Sequence, residues 1–410
     1  MNGLRRQLGV IGRSRGFRLL FLSTLGSTLG TLLATVALVV DVKDRTQSGA
    51  WVSALFLVEF LPAVAVGLVF APVLDRFSRR GTMIVADLVR AGVFVALAFT
   101  HSAAPIVALA AVAGLATGFF RPAAYAGLPN LVADEDLPAA NSVLQTAENA
   151  SWAAGPILGG VLVAAAGPHT AYWINAASFL LSAGLLTGIP GRLLQVATTA
   201  GRGHFGALRD GLAFVVGSSP LRAVLIAWTV ALAAIAAINT TEVFLAKDSF
   251  SAGDFGYGLL FGSIGVGLTI GSLGAGRWVE RRPIAYVYGG GIMLTAVGFG
   301  IAAVAPNVWV AAGCCLLGGI GDGAAVVCNS LLIQRGAPDD VRGRAFTLIM
   351  GITYAGMACG YVAGGLLNDS YGPRWVWGGS AVVLGLSGTL AYVLARGVSS
   401  ARAAEPEPAL

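Results

Sequence analysis

The chain has 410 residues, of which 56% are hydrophobic and only 11% are charged. A soluble globular domain carries about 25% charged residues, so this composition excludes a soluble globular protein and requires a bilayer around the chain. The net charge of +6 arises between the apolar runs, so it reflects membrane topology and not nucleic-acid binding.

Twelve apolar runs are long enough to cross a membrane, since a spanning helix needs about 20 apolar residues. The first run exceeds the core of a signal peptide, about 7–15 residues, and no good cleavage site follows it, so we interpret it as a transmembrane helix. The runs lie near residues 17–40, 50–74, 82–101, 105–128, 140–166, 169–189, 221–246, 255–279, 284–305, 307–333, 345–367 and 374–396.

The longest hydrophilic interruption, residues 191–219, predicts a cytoplasmic linker between two halves of six helices. Residues 1–190 and 220–397 would then form an N-terminal and a C-terminal bundle. The polar tail, residues 398–410, is expected to be disordered and cytoplasmic. The sequence therefore predicts an all-α polytopic membrane protein with twelve transmembrane helices in two six-helix bundles.

An internal repeat at an offset of about 204–205 residues makes the two predicted bundles pseudo-symmetric. A duplicated six-helix unit of parallel topology is typical of transporters whose halves surround a central cavity. The matched segments are 75–80 with 280–282, 134–138 with 338–341, Gly159-Gly160 with Ala363-Gly364, and Gly167-Pro168 with Gly372-Pro373.

Basic residues are concentrated in alternate loops, as the positive-inside rule requires when the N-terminus is cytoplasmic. With this orientation only Lys43, Arg45, Lys247 and Arg374 fall outside. We therefore expect a multi-pass protein of the plasma membrane with both termini in the cytoplasm.

The loop after the second run and the fifth run carry two motifs that resemble those of the major facilitator superfamily, and the resemblance extends along the chain. The loop, residues 71–80, is similar to motif A, with Ala71 and Ser78 at its two glycine positions. The resemblance implies a charge latch between conformational states, although ordinary positive-inside anchoring would place the same charges there. The charges are Asp75, Arg76, Arg79 and Arg80.

The fifth run looks like motif C of antiporters, which implies a tight, hinge-like seal suited to export. Gly155 and Gly159 share a helix face, and Pro156 can kink the helix. Simple helix packing is the alternative reading of Gly155, Pro156, Gly159 and Gly160. Segments 120–123, 134–141 and 242–244 are similar to macrolide-efflux and enterobactin exporters, so the resemblance implies a proton-coupled exporter.

Ionisable residues within the runs are the candidates for proton coupling or for the substrate cavity, because charge in hydrocarbon is costly and usually faces a cavity or a partner. A carboxyl group there could load and release protons, while a structural buried pair is the alternative. We interpret Asp87 and Arg90, three residues apart, as structural. The candidates are Glu59, Glu148, Asp322, Arg121 and Asn329.

The function that these features predict is secondary active export of small amphipathic organic molecules, such as a drug, an antibiotic or a siderophore, by alternating access. An importer, a sodium-coupled carrier or a narrow-substrate carrier remains open. A membrane enzyme would need a concentrated catalytic set, and a sensor or scaffold would usually carry a soluble domain. We expect no cofactor and no metal, because the chain has no Walker-type loop and no zinc-like cysteine spacing. We also expect the protein to be a monomer.

Overall fold

The computed structural model of the chain is helical through nearly all the residues that it describes, and none of these residues is in a β-strand. The described residues are 9–69, 77–194, 215, 217–336 and 339–401. The predicted latch residues Asp75 and Arg76, most of the predicted linker and residues 402–410 of the predicted tail lie outside them.

Twelve long helices follow one another in these residues, one for each apolar run. π-helical segments, Val224–Trp228 and Leu245–Ser249, continue the seventh helix at both ends. In chain order the helices are α1 Arg15–Thr46, α2 Gly49–Val69, α3 Arg79–Leu97, α4 Ala103–Gly127, α5 Leu137–Ala166, α6 Pro168–Thr187, α7 Thr229–Phe244, α8 Gly253–Arg281, α9 Ile284–Ala303, α10 Val308–Gly336, α11 Asp339–Tyr371 and α12 Pro373–Ala401.

Ten helices in the described part of the chain are long and apolar enough to cross a membrane. The other two are α3, which carries Arg80, Asp87 and Arg90, and α6. The predicted all-α polytopic membrane fold is confirmed, whereas the number of twelve spans stays a prediction.

α1 continues past the apolar run that predicted it, because polar residues in its last turns pair with one another. Arg45 Nε donates to Asp41 Oδ1 at 2.6 Å, and Tyr172 Oη donates to Asp41 Oδ2 at 3.0 Å. Gln47 then ends the helix in the left-handed conformation, with its N–H on the Lys43 carbonyl. The apolar run therefore underestimates the length of α1.

Contacts divide the chain into two units, residues 1–201 with 253–262 and residues 202–252 with 263–410. The first ten residues of α8 thus group with unit 1, whereas the predicted domains place all of α8 in the C-terminal bundle. In unit 1, α1 packs on α5 and α6, α3 on α4 and α6, and α2 on α4. In unit 2, α7 packs on α11 and α12, and α9 on α10 and α12. Each of these unit 2 pairings matches the pairing of the helices six positions earlier.

Gly167 and Gly372, which the predicted repeat matches, make the same turn in the two units. Their φ angles are +76° and +83°, which glycine adopts without strain. Each closes a helix with an N–H to carbonyl bond of 2.8 Å, to Val163 and to Asn368, and a proline then starts the next helix. The repeat that the sequence predicts is therefore also present in the structure at this turn.

Glycines also bring equivalent helix pairs into backbone contact. A Cβ on Gly114 of α4 would lie 2.5 Å from the Glu59 carbonyl oxygen of α2, and a Cβ on Gly319 of α10 would meet the Ile264 carbonyl of α8. Gly155 and Gly159 of α5 pack in the same way on α1, as Gly360 and Gly364 do on α7. This packing pairs Gly159 with Gly364, so the sequence match of Gly159 with Ala363 is shifted by one residue.

We predict that Gly319→Val destabilises unit 2, because the new side chain must push the α8 backbone away. Overpacking of this kind costs about 1–3 kcal/mol. Gly313→Val in the same helix is the matched control, because a Cβ there meets nothing within 4 Å. Thermal unfolding of the purified variants measures the difference, and equal melting temperatures for the two would contradict the contact.

Candidate functional site

A cavity of about 210 Å³, lined by polar, aromatic and aliphatic side chains, lies within unit 1, between α1, α3, α4 and α5. α1 presents a face of hydroxyl groups to it, because Thr24, Thr28 and Thr31 are spaced four and three residues apart. Thr31 Oγ1 donates to the Ser27 carbonyl at 2.7 Å, and Thr24 Oγ1 is buried without a partner in the described residues. This wall can exchange hydrogen bonds with a bound molecule.

The opposite wall of the cavity centres on Glu148 of α5, whose two carboxylate oxygens are both engaged. Arg121 Nη2 donates to Oε2 at 3.0 Å, and Tyr125 Oη donates to Oε1 at 2.9 Å, both from α4. The Glu148 side chain is 11% exposed, whereas that of Arg121 is 63% exposed. The guanidinium therefore has ready access to solvent, whereas the carboxylate does not.

Trp152, one turn after Glu148, adds an aromatic surface to the cavity. Its ring meets that of Phe261 edge-on, with centroids 6.0 Å apart. Phe261 belongs to the first ten residues of α8, which group with unit 1. The cavity thus combines hydroxyls, one ion pair and aromatic faces, the mixture that an amphipathic organic molecule needs.

Arg90 of α3 also lines this cavity, but its charge is fixed by a buried network. It pairs with Asp87, whose other oxygen accepts from Ser182 Oγ of α6 at 2.5 Å. Its guanidinium lies between the rings of Phe120 and Phe179, 4.5 and 4.3 Å from their centroids. The geometry agrees with the structural reading of Asp87 and Arg90 and adds a cavity-facing cation that the spacing did not indicate.

The structure brings together two of the five predicted candidates, Arg121 and Glu148. Glu59 lies outside the lining of this cavity, at the point where α2 touches α4 through Gly114. Asp322 and Asn329 belong to α10 of unit 2, and each has a buried side-chain oxygen without a hydrogen-bond partner in the described residues. Tyr125 is a site residue that the sequence does not indicate, because an apolar run gives no sign of a hydroxyl directed at Glu148.

Glu242 near the end of α7 is a further candidate, which sequence reasoning noted only as part of a family-like segment. It is 2% exposed, and its Oε1 has no hydrogen-bond partner among the described residues. In the sequence, Glu242 lies close to the polar end of an apolar run, where a charged residue normally marks the membrane boundary. The residues of α7 around it are nevertheless buried, which only tertiary packing reveals.

Of the motif A charges, Arg79 and Arg80 start α3 in the described residues. Arg80 Nη2 donates to the Thr187 carbonyl at 2.6 Å, so it satisfies the carboxyl end of α6 inside unit 1. The described contacts leave the latch itself untested.

Motif C packs on two different partners. Gly155 and Gly159 contact α1, where Cβ atoms would lie 2.7 Å from Leu32 Cβ and from the Leu33 carbonyl oxygen. A Cβ on Gly160 would lie 2.8 Å from Gly258 Cα, in the part of α8 that groups with unit 1. Gly155 and Gly159 thus have the packing role that any pair of small residues can supply, and Gly160 makes a separate contact on the other side of α5.

The family model described as transmembrane secretion effector, a model of the major facilitator superfamily, matches residues 12–408. The chain is 26% identical over 370 residues to the uncharacterized MFS-type transporter YfiS of Bacillus subtilis, covering 87% of this chain and 88% of that protein. It is 26% identical over 404 residues to the multidrug efflux pump Tap of Mycolicibacterium fortuitum, covering 92% of this chain and 95% of the pump.

Among solved structures, a bacterial homologue of the iron transporter ferroportin in an inward-facing state is similar to the chain. The TM-score is 0.75 with 17% sequence identity, over 93% of this chain and 98% of that one. At this identity the likeness concerns the fold alone.

We predict that Asp87→Asn destabilises the protein by about 3–5 kcal/mol, because it leaves the buried Arg90 charge without its partner. Arg121→Gln should cost less, because the Arg121 guanidinium is 63% exposed and the Glu148 carboxylate keeps its hydrogen bond from Tyr125. Chemical denaturation in detergent measures both. The double variant Asp87→Asn/Arg90→Gln should recover much of the loss, and no recovery would show that the pair is not the cause.

Proposed function

The chain belongs to the transmembrane secretion effector family of the major facilitator superfamily, and on this premise we propose that it exports small amphipathic organic molecules by proton-coupled alternating access. Its family and fold are those of membrane transporters. The observation that carries the proposal is the Glu148 cluster, an ion pair in a polar and aromatic cavity.

The name of a relative supports the direction and the class of substrate that we propose. Tap of Mycolicibacterium fortuitum, with 95% of its length covered, is a multidrug efflux pump. The cavity of unit 1 suits molecules of that kind, since hydroxyls of α1 offer hydrogen bonds while Trp152 and Tyr125 offer ring surfaces.

The Glu148 carboxylate gives the cavity a way to respond to protons. A proton that binds one of its oxygens removes the negative charge, breaks the ion pair with Arg121 and leaves the guanidinium without its counter-ion. Because the Arg121 side chain is largely exposed, it can turn to solvent or to a bound molecule. Protonation would therefore change the charge that the substrate meets, which is the property that exchange of substrate for protons requires.

The rest of the proposal follows the topology and the motifs. The chain would lie in the plasma membrane as a monomer with both termini cytoplasmic. It would use the proton gradient as its energy source and need no cofactor, metal or nucleic acid. It would not be an enzyme. Asp75, Arg76 and Arg79 would latch one conformational state. Arg80 would support them by holding the start of α3 to the end of α6.

We predict that Glu148→Gln abolishes accumulation of substrate driven by a pH gradient, because the amide cannot take up the proton. Everted membrane vesicles and a panel of dyes and antibiotics provide the assay. Glu59→Gln and Asp322→Asn are compared in the same assay, to find which further acid is needed. Glu280→Gln is the matched control, since Glu280 is exposed at the end of α8, and it should transport normally.

Undiminished gradient-driven accumulation in all three acid variants would show that these acids are structural, and the site assignment would fail. A wild-type protein that moves no member of the panel under any gradient would count against drug export and favour a narrow-substrate carrier.

A further inference from the structure

Unit 2 contains five buried side-chain oxygens that have no hydrogen-bond partner among the described residues, the Tyr288 hydroxyl and four carboxyl or amide oxygens. Buried polar atoms are normally hydrogen-bonded, so each such atom needs an explanation. The four carboxyl or amide oxygens are hydrogen-bond acceptors, and an acceptor oxygen attracts a proton or a cation and repels an anion. They belong to Glu242 of α7, Asp322 and Asn329 of α10, and Asn368 of α11.

The α10 members share one face of their helix. Cys315, Asp322 and Asn329 are seven residues apart, so they form a stripe with steps of about 10 Å. Cys315 lies within electrostatic range of Glu242, which places one end of the stripe near the Glu242 carboxyl. Glu242 and the α10 stripe are therefore parts of one polar seam inside the bundle.

Asn368 reaches the same seam from α11. A Cβ on Gly360 would meet the backbone of Ala233, and a Cβ on Gly364 would lie 2.6 Å from Ala237 Cα. The contact advances four residues on each helix, so the next step pairs Asn368 with Thr241, the neighbour of Glu242. An amide with an unpaired oxygen thus lies at the Glu242 end of the seam.

No described side chain compensates a negative charge on Glu242. The thiol of Cys315 is the titratable group of α10 that lies near it. Lys247 and Asp248 lie in the π-helical segment beyond α7, and Arg374 of α12 is held by the carbonyls of Ala303 and Ala305. An ionised carboxyl that is 2% exposed and unpaired is costly, so in this conformation the group is stable only as the neutral acid.

A proton suits this site better than a metal ion. The described residues contain no group of three histidine, cysteine, aspartate or glutamate side chains that could hold a metal. One carboxyl oxygen is sufficient to bind a proton, whereas a cation needs several ligands at once.

We propose that Glu242 is a proton-binding carboxyl of unit 2, which holds its proton while the helices packed around it keep it from water and exchanges it when they part. Binding adds one proton to a carboxylate oxygen and removes one negative charge, and release reverses both changes. The transport role of this site rests on the proposed proton-coupled function, but the presence of a neutral buried acid does not.

Infrared difference spectroscopy of the purified protein in lipid nanodiscs tests the proton directly. Wild type and the exposed control Glu280→Gln should show the carbonyl band of a buried carboxylic acid, and Glu242→Gln should lack one such contribution. Glu242→Asp, which keeps the carboxyl group, should retain a shifted band, and this shows that loss of the band is not loss of the fold. An identical carboxylic-acid spectrum in wild type and Glu242→Gln overturns the proposal.

Addition of sodium chloride or potassium chloride at constant pH distinguishes a bound proton from a bound sodium ion. Loss of the band in wild type on addition of sodium, but not of potassium, overturns the proton assignment in favour of a sodium site. A spectrum that is indifferent to both salts supports it.

Transport assays in proteoliposomes then distinguish the role of Glu242 from the proposed export function of the protein. Glu242→Gln should still exchange internal for external substrate but lose accumulation driven by a pH gradient, the behaviour of an uncoupled carrier. Gradient-driven accumulation equal to wild type overturns the coupling role. If wild type itself transports nothing, the exporter assignment fails while the infrared result still decides whether Glu242 binds a proton.

Discussion

A charge inside a membrane bundle must be paired or neutralised, and unit 1 depends on pairs that join different helices. Asp87 holds Arg90 on its own helix and Ser182 on α6. Glu148 joins α5 to α4 through Arg121 and Tyr125. Each carboxylate thus has two partners, and the bonds join α3 to α6 and α4 to α5 beside the cavity of unit 1.

Unit 2 repeats the helix pairings of unit 1 but not its charge pairing. Gly319 allows α10 to contact α8 as Gly114 allows α4 to contact α2. The acids Glu242 and Asp322 nevertheless have buried oxygens without partners in the described residues. The packing of small residues therefore preserves the fold in both units, while the electrostatics of the two units are free to differ.

Much of the fold could be predicted because a bilayer imposes long apolar runs, and glycine at a positive φ marks the equivalent turns at Gly167 and Gly372. The partners of charged residues could not be predicted in this way. Arg121 and Glu148 are 27 residues apart, and no periodicity within one helix relates them. Glu242 near the end of an apolar run looks like a boundary residue until packing shows that it is buried.

The difference between Glu148 and Glu242 has a consequence for how a carrier can use protons. Glu148 already has a cation on one oxygen, so in the proposed function a proton or a substrate would compete with Arg121 for it. Glu242 has no such partner, so its protonation can change only when the enclosing helices give it access to water. In the exchange that we propose, the first acid would respond to the ligand and the second to the conformation of the helices.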